Sequence, residues 1–449
     1  MMEHAALAYW LARDARSASS ALDLNPDALH SLATRRMRAM LVDARRSPFH
    51  DSRMRAAGLS RSEALRDVDL PLALRSLSPV TKHDLRAAGN AALRDGRASA
   101  QWFSSQSSGS SGEPFRVYYD ARAWSMLKYL VKMRARRAAG VMPSDRVAIL
   151  DAVPISAEGH SLLERAGRVR RISIFRSPAE IATLLADYRP DAIYALPSAL
   201  LEVARAMKSG APQVRAARVF TSGELLAAGA RLTITAALGG TLFDVYGTSE
   251  TKEIAWECEA GSRHINADVV YVEILDEQGA VVPTGADGEI VVTLLVNRAM
   301  PLVRYRTGDR GSMLPSRCSC GRGSPLLGVI SGRDSDTLEL PDGSTRSPYQ
   351  LTMALELVPE LAQYQIVQVQ RDLLRVSAVA IAHTRHDVST LEREIHDALR
   401  EVLPRDVFVE VTIVERLARG PREKLRAVHP LPRSHESLAA LATIPGALE

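Results

Sequence analysis

The sequence predicts an α/β fold: a large N-terminal domain with mostly parallel βαβ sheets plus a β-rich subdomain, followed by a small α+β C-terminal domain. Three observations predict it. Short apolar runs at 146–153, 171–175, 192–195 and 217–220 alternate with helical patterns at 179–187, 199–208 and 225–238, the alternation that builds βαβ units. From about 263 the helical spacing stops, and runs at 264–275, 288–295 and 313–315 sit between Gly, Asp and Pro turns. Beyond Gly332, the segments 361–370, 373–381, 388–402 and 407–414 read β-β-α-β. The expected boundaries are 1–332 for the large domain and 333–449 for the small one. Within the large domain, 1–100 is a mostly helical layer, 100–255 the α/β part, and 256–331 the β-rich subdomain.

Individual elements follow from local pattern. Residues 26–46 carry Leu29, Leu32, Met37, Met40 and Leu41 at helical spacing. Residues 120–139 place Trp124, Leu127 and Val131 on one helix face, with Gly140 as the stop. No internal repeat or low-complexity segment interrupts the chain.

Composition excludes several classes. The 449 residues are 46% apolar and 24% charged, which suits folded domains rather than extended disorder. Net charge is only +5, with no basic stripe carrying interleaved aromatics, so no nucleic-acid partner is expected. No apolar run reaches about 18 residues, so no membrane span is expected. The opening MMEHAALAYWLARD has no basic residue ahead of its short apolar run and reads as no secretory leader. Three cysteines make no disulfide framework, and the expected compartment is the cytoplasm. Lysine is scarce: 82, 128, 132, 208, 252 and 424 are the six, so Lys424 is the one amine after Lys252.

Five motifs carry chemistry. In the run from Ser104 to Pro114, the stretch Ser107, Ser108, Gly109, Ser110, Ser111, Gly112 offers hydroxyls and backbone N–H groups between permissive glycines, a wrapping suited to phosphates. It is not a Walker A loop, because no Lys-Ser/Thr follows the glycine. Asp244-Val-Tyr246-Gly247-Thr248-Ser249-Glu250, read as a loop after an apolar strand, offers a ring to stack on a base, hydroxyls for phosphate and a carboxylate for Mg²⁺. Tyr305-Arg306-Thr307-Gly308-Asp309 puts an aspartate after a glycine turn, suited to a ribose diol. The fourth and fifth are Gly332-Arg333-Asp334-Ser335-Asp336 and Gly420-Pro421-Arg422-Glu423-Lys424.

In that order and spacing the five motifs resemble the adenylate-forming superfamily of acyl-CoA synthetases, peptide-synthetase adenylation domains and luciferases. Residues 190–197 (PDAIYALP), Ser222-Gly223-Glu224 and the Cys318-Ser319-Cys320-Gly321-Arg322 run are similar to the phenylacetate–CoA ligase branch. The resemblance spans about 100–430. It implies that residues 107–112 close over the ATP phosphates and that Gly223 and Glu224 line the adenine pocket. Tyr246 would stack on adenine, with Gly247 and Thr248 beside it. Ser249 would meet the α-phosphate and Glu250 would hold Mg²⁺. Asp309 and Arg333 would bind the ribose, residues 332–336 would form a hinge that makes the small domain a mobile lid, and Lys424 would bridge the carboxylate and the α-phosphate. Joining two anions needs such cations to offset their repulsion. The chain departs from the pattern at Phe115, where many members have lysine, at Ser335 in place of the hinge aspartate, and at Glu423 in place of a glycine.

Cys258, His264, Cys318 and Cys320 form Cys-x5-His followed by Cys-x-Cys, a Cys₃His set typical of structural Zn²⁺. The acid pocket is expected among 152–160, 194–196, 222–224 and 246–248, with Tyr194 and Phe243 nearby, which suits an aryl acid. Lys252 and His160 read either as partners of a ring substituent or as solvated loop residues. Arg134, Arg136 and Arg137, like Arg168, Arg170 and Arg171, read either as receivers of CoA or carrier-protein phosphates or as a solvated, dipole-complementing face. The expected reaction is AMP-forming ligation of an aryl acid to CoA, with ATP and Mg²⁺. The alternatives are hand-over to a carrier-protein thiol, amine or hydroxyl, and a catalytically silent adenylate-binding module. A homodimer is expected by resemblance.

Overall fold

The computed structural model describes residues 2–59, 69–107, 115–151, 164, 167–174, 176–226, 228–315, 317–330, 332–333, 338–341, 345–346, 351, 354–355, 358, 360–380, 387–415, 417 and 428–431. The chain forms two compact units. One comprises Met1–Gly109, Glu113–Met142 and Phe243–Ile330, and the other Ser110–Gly112, Pro143–Leu242 and Ser331–Glu449.

The first unit begins with the helices Met2–Ser20, Pro26–Ala44, Pro48–Ala56, Leu70–Arg75 and Lys82–Ala88. Asn25, Ser47 and Asp69 cap three of them ahead of a proline, and Thr81 forms a reciprocal capping box with Asp84. Leu29, Met37, Met40 and Leu41 are buried as their spacing predicts. The antiparallel hairpin Phe103–Ser107 and Phe115–Tyr119 follows. Its first strand, FSSQS, lacks apolar alternation, which is why local pattern marks only a loop there.

The helix expected over 120–139 is present, capped by Asp120, but it is three pieces: Ala121–Trp124, a π-helical stretch Ser125–Leu130, and Val131–Ala138. Thr241–Thr248, Lys252–Glu257, Arg263–Ile265, Leu326–Leu327 and Met313–Leu314 pair antiparallel in that order. A second antiparallel set joins Val270–Leu275, Gly288–Leu294 and Tyr305–Gly311.

One expectation about arginine is overturned here. Arg134 is not on a solvated face but 3% exposed, donating to Asp268 at 2.6 and 2.8 Å. Arg36 meets the same carboxylate at 2.8 Å. One carboxylate and two guanidinium groups thus satisfy each other where an unpaired charge would be costly.

In the second unit, Arg218–Ser222, Ala192–Ala195, Val147–Asp151 and Val169–Ser173 form a parallel sheet in that order. The helices Pro178–Tyr188, Pro197–Lys208 and Ala228–Leu238 contribute Ile181, Leu185, Leu200, Val203 and Ile234 to one core with Ile172 and Ile193. The strand expected at 171–175 runs at Val169–Ser173 instead; it lies at the edge of this order, and its VRRIS sequence has no continuous apolar run to mark its start. The later strands Leu361–Gln370 and Leu373–Ala380 are antiparallel, Phe408–Ile413 runs parallel to the second of them, and the helix Val388–Arg400 buries Leu391, Ile395 and Leu399 in their core.

Candidate active site and metal centre

The hairpin built from Thr241–Thr248 and Lys252–Glu257 sets the site in the first unit. Tyr246, Gly247 and Thr248 lie in the strand itself, not in the loop the sequence suggested; the loop is the three-residue turn Ser249-Glu250-Thr251. Gly247 pairs with Glu253 so closely that a Cβ there would fall 2.2 Å from the Lys252 carbonyl oxygen. Thr248 Oγ1 lies 2.9 Å from Thr251 Oγ1 and accepts the Thr251 N–H at 3.1 Å, which folds the turn.

Asp309 is likewise not in a free turn. It sits in the Tyr305–Gly311 strand at a bulge, where Gly308 takes φ +76° and the pairing with Gly288–Leu294 shifts register. Thr307 Oγ1 donates to the Ile290 carbonyl and accepts from the Asp309 N–H, which fixes the bulge. The Tyr246 hydroxyl donates to Asp309 Oδ2 at 2.8 Å, so two residues 63 positions apart form one buried pair.

The backbone of the turn is tied from behind. The Tyr119 hydroxyl donates to the Glu250 carbonyl at 2.6 Å. Burial, and then the Glu250 charge, push the Tyr119 phenol above its ordinary value. Lys252 Nζ donates to the Ser249 carbonyl at 2.7 Å and to Ser105 Oγ at 2.6 Å. Burial lowers Lys252 to about 7, helped by Lys128 and Lys132 and opposed by Glu250. The ammonium is therefore engaged with the protein, unlike the solvated residue or ring-substituent partner that sequence offered. Tyr119 carried no sequence signal; Ser105 lay inside the Ser104–Pro114 run, and Lys252 was marked only for a ring substituent.

In the second unit, Gly223 takes φ +89° and Glu224 accepts from the Ser198 N–H and hydroxyl, each at 3.0 Å. A carboxylate thus serves the open N-terminus of the Pro197–Lys208 helix, whose Leu196 supplies no cap. Tyr194 stacks on Phe220, centroids 5.7 Å apart, on neighbouring parallel strands. Ser107 ends the Phe103–Ser107 strand, and Arg333 lies in the short strand Gly332–Arg333. Ser108, Gly109, Ser110, Ser111, Gly112, His160, Ser335, Glu423 and Lys424 lie outside the described residues.

The cysteines converge as their spacing suggests. The ligating atoms of Cys258, His264, Cys318 and Cys320 lie within 4.8 Å of one another. Cys258 Sγ and Cys318 Sγ are 3.5 Å apart, and Cys320 Sγ is 3.2 Å from His264 Nε2. Tetrahedral zinc with Zn–S near 2.3 Å would space two sulfurs by about 3.8 Å, so little movement separates this cluster from a closed shell. Ser324 Oγ lies 2.8 Å from His264 Nδ1, the second contact that orients a ligating imidazole. Burial and the nearby Arg322 hold His264 neutral, at about 4. Burial pushes Cys258 up to about 12, whereas hydrogen bonds from Ser262 and Cys320 outweigh burial at Cys318 and bring it to about 7.

No family model matches the chain. It is 32% identical over 281 residues to phenylacetate-coenzyme A ligase of Aromatoleum evansii, covering 59% of this chain and 62% of that one. The Pseudomonas putida enzyme of the same name is 31% identical over 283 residues, with the same coverage. The chain thus spans just under two thirds of the length of these relatives. Among solved structures, 2-hydroxyisobutyryl-CoA ligase in its postadenylation state superposes with TM-score 0.72 at 20% identity over 91% of both chains. The anthranilate CoA ligase with anthranoyl-AMP gives 0.53 at 15% identity, over 72% of this chain and 65% of that one. Among the described residues no helix is long and apolar enough to cross a membrane. In sequence the chain is similar over part of its length to phenylacetate-coenzyme A ligases, and it has the fold seen in 2-hydroxyisobutyryl-CoA ligase.

Proposed function

We propose that the chain joins an aryl carboxylic acid of benzoic or phenylacetic type to the thiol of CoA through an acyl-AMP, with ATP cleaved to AMP and pyrophosphate. The observation that carries the reading is the buried Tyr246–Asp309 pair beside the Ser249–Glu250 turn, in a chain similar to phenylacetate-coenzyme A ligases. Tyr246 offers its ring to adenine while its hydroxyl steadies Asp309. An aspartate accepts about four hydrogen bonds, which suits a ribose diol. By resemblance, Arg333 would also serve the ribose, and Gly223 and Glu224 the base. Thr248 and Ser249 are assigned to the phosphates, and by resemblance so is the segment 107–112.

Glu250 and its neighbouring hydroxyls are hard oxygen donors, the set that suits Mg²⁺. When bound, the ion offsets negative charge between the two reacting anions. Lys424 offsets the rest from the small domain. Cys258, His264, Cys318 and Cys320 hold Zn²⁺; four protein ligands close the shell, so the ion braces the β-rich region and does no chemistry.

The test is pyrophosphate release over a panel of benzoic, phenylacetic, hydroxybenzoic and aminobenzoic acids, each with and without CoA. Release stimulated by CoA for one acid, with the thioester seen by mass, is the expected result, and Lys424→Ala should lower it by about 100-fold or more. Release that CoA leaves unchanged would overturn the choice of acceptor, and no release with any acid would overturn the aryl assignment.

A further inference from the structure

Lys252 is a half-buried residue of the first unit that the proposed chemistry does not use. Its backbone is unusual: φ is +63°, in the left-handed region that glycine enters freely and lysine does not. It occupies the first position after the three-residue turn Ser249-Glu250-Thr251. A lysine therefore stands where its side chain must offset a local backbone cost, a pattern that points from an observed outlier to function.

The side chain reaches three segments. Nζ donates to Ser105 Oγ at 2.6 Å, on the strand that runs directly into residues 108–112, and to the Ser249 carbonyl at 2.7 Å, in the turn that carries Glu250. The ring centroids of Tyr119 and Trp124 lie 5.2 and 5.6 Å from the same nitrogen. Tyr119 closes the arrangement with its own bond to the Glu250 carbonyl. The π-helical stretch Ser125–Leu130 borders the cluster and brings Lys128 within 4.9 Å of the Trp124 ring. Three of the six lysines, Lys128, Lys132 and Lys252, thus collect around one turn in a chain that otherwise uses arginine. An ammonium fits these surroundings because it is compact, and its three donors can bond two fixed oxygens at once without the planar fork an arginine imposes.

We propose that Lys252 is a positioning residue that locks the strand Phe103–Ser107 against the Ser249–Glu250 turn, so that the turn is held in place before nucleotide arrives. This role rests on the adenylating function proposed above. The bonds from Nζ to Ser105 and Ser249 hold the two elements together, and Tyr119 holds the turn from the other side. The ammonium does not touch the reacting atoms; it acts through Ser105 and Ser249.

The test uses the full chain with Lys252→Met, Ser105→Ala and the double variant. Hydrogen exchange on the nucleotide-free protein reads the tether without reference to any activity. In Lys252→Met, peptides covering 103–107 and 248–252 should exchange about tenfold faster while the core strand Gly288–Leu294 is unchanged. In ATP–pyrophosphate exchange, the KM for ATP should rise about tenfold in Lys252→Met with the KM for the acid unmoved. Ser105→Ala, which removes one bond and no charge, should shift both readouts the same way by less. The double variant should be no worse than Lys252→Met alone, because the two changes break one link. Unaltered exchange at 103–107 in Lys252→Met overturns the tether, as does full additivity in the double variant. A lowered melting temperature with no split between the two KM values reduces Lys252 to a structural residue and equally overturns the proposal. Should the wild type adenylate no acid, the function proposed above fails, and the exchange rates still decide whether Lys252 joins the two segments.

Discussion

Replacing Gly247 by alanine is the sharpest single perturbation of the site. The added Cβ would lie 2.2 Å from the Lys252 carbonyl oxygen, 2.8 Å from its carbon and 2.9 Å from Glu253 Cα, all backbone atoms. Ordinary contact begins at 3.4 Å, so the two strands must part by roughly 1 Å. That separation weakens the Gly247–Glu253 and Thr248–Lys252 pairings, at about 1 kcal/mol for each hydrogen bond lost. Overpacking strain adds about 1–3 kcal/mol, so the total is about 3–5 kcal/mol. The same shift moves Tyr246 relative to Asp309 and carries the Ser249–Glu250 turn outward. Urea unfolding followed by tryptophan fluorescence should show the first unit destabilised by about that amount, since Trp256 lies fully buried in the partner strand. Binding of a fluorescent ATP analogue should weaken in parallel. Stability within about 0.5 kcal/mol of wild type, with unchanged nucleotide binding, would refute the reasoning, because it would mean that the strands tolerate a methyl group where the geometry leaves no room.

Three further outcomes are expected. Cys318→Ser should lower bound zinc and the melting temperature together, and wild-type protein purified without any zinc would remove the basis of the metal assignment. His50 is fully buried, with Nε2 donating to the Pro301 carbonyl and Nδ1 accepting from Arg53, and burial followed by the Arg53 charge holds it down at about 3. Above its unfolded value near 6.5 it is neutral in both states. As pH falls below that, only the unfolded chain takes up the proton, so stability drops by about 1.4 kcal/mol per pH unit until about 3. Between pH 6.5 and 5, His50→Gln should therefore lose about 2 kcal/mol less than wild type in urea titrations; equal losses would contradict the burial argument. Finally, Arg134→Met should cost about 3–5 kcal/mol by leaving Asp268 with Arg36 alone, while leaving the KM for CoA unchanged. A raised KM for CoA at full stability would restore Arg134 to a binding role.

Pattern along the chain carried much of the architecture. The parallel strands and helices of 147–238 and the β-β-α-β order of 361–413 were legible because each element buries one face with its own period. The four side chains that could hold a metal ion were legible by type, since three cysteines and one histidine have few other reasons to recur in that spacing. Chemistry that depends on short-range residue type therefore belongs to the sequence. Other features depend on what a distant segment places opposite. FSSQS becomes a strand because FRVYY pairs with it. Asp309 becomes a buried acceptor because Tyr246 lies against it across 63 residues. Arg134 becomes core because Asp268 waits in the interior, and Lys252 becomes a tether because Ser105 and the Ser249 carbonyl converge on its ammonium. No local pattern encodes these. The hydrogen bond of a buried charge is decided by whichever partner the fold brings within about 3 Å, and only the tertiary structure fixes that distance.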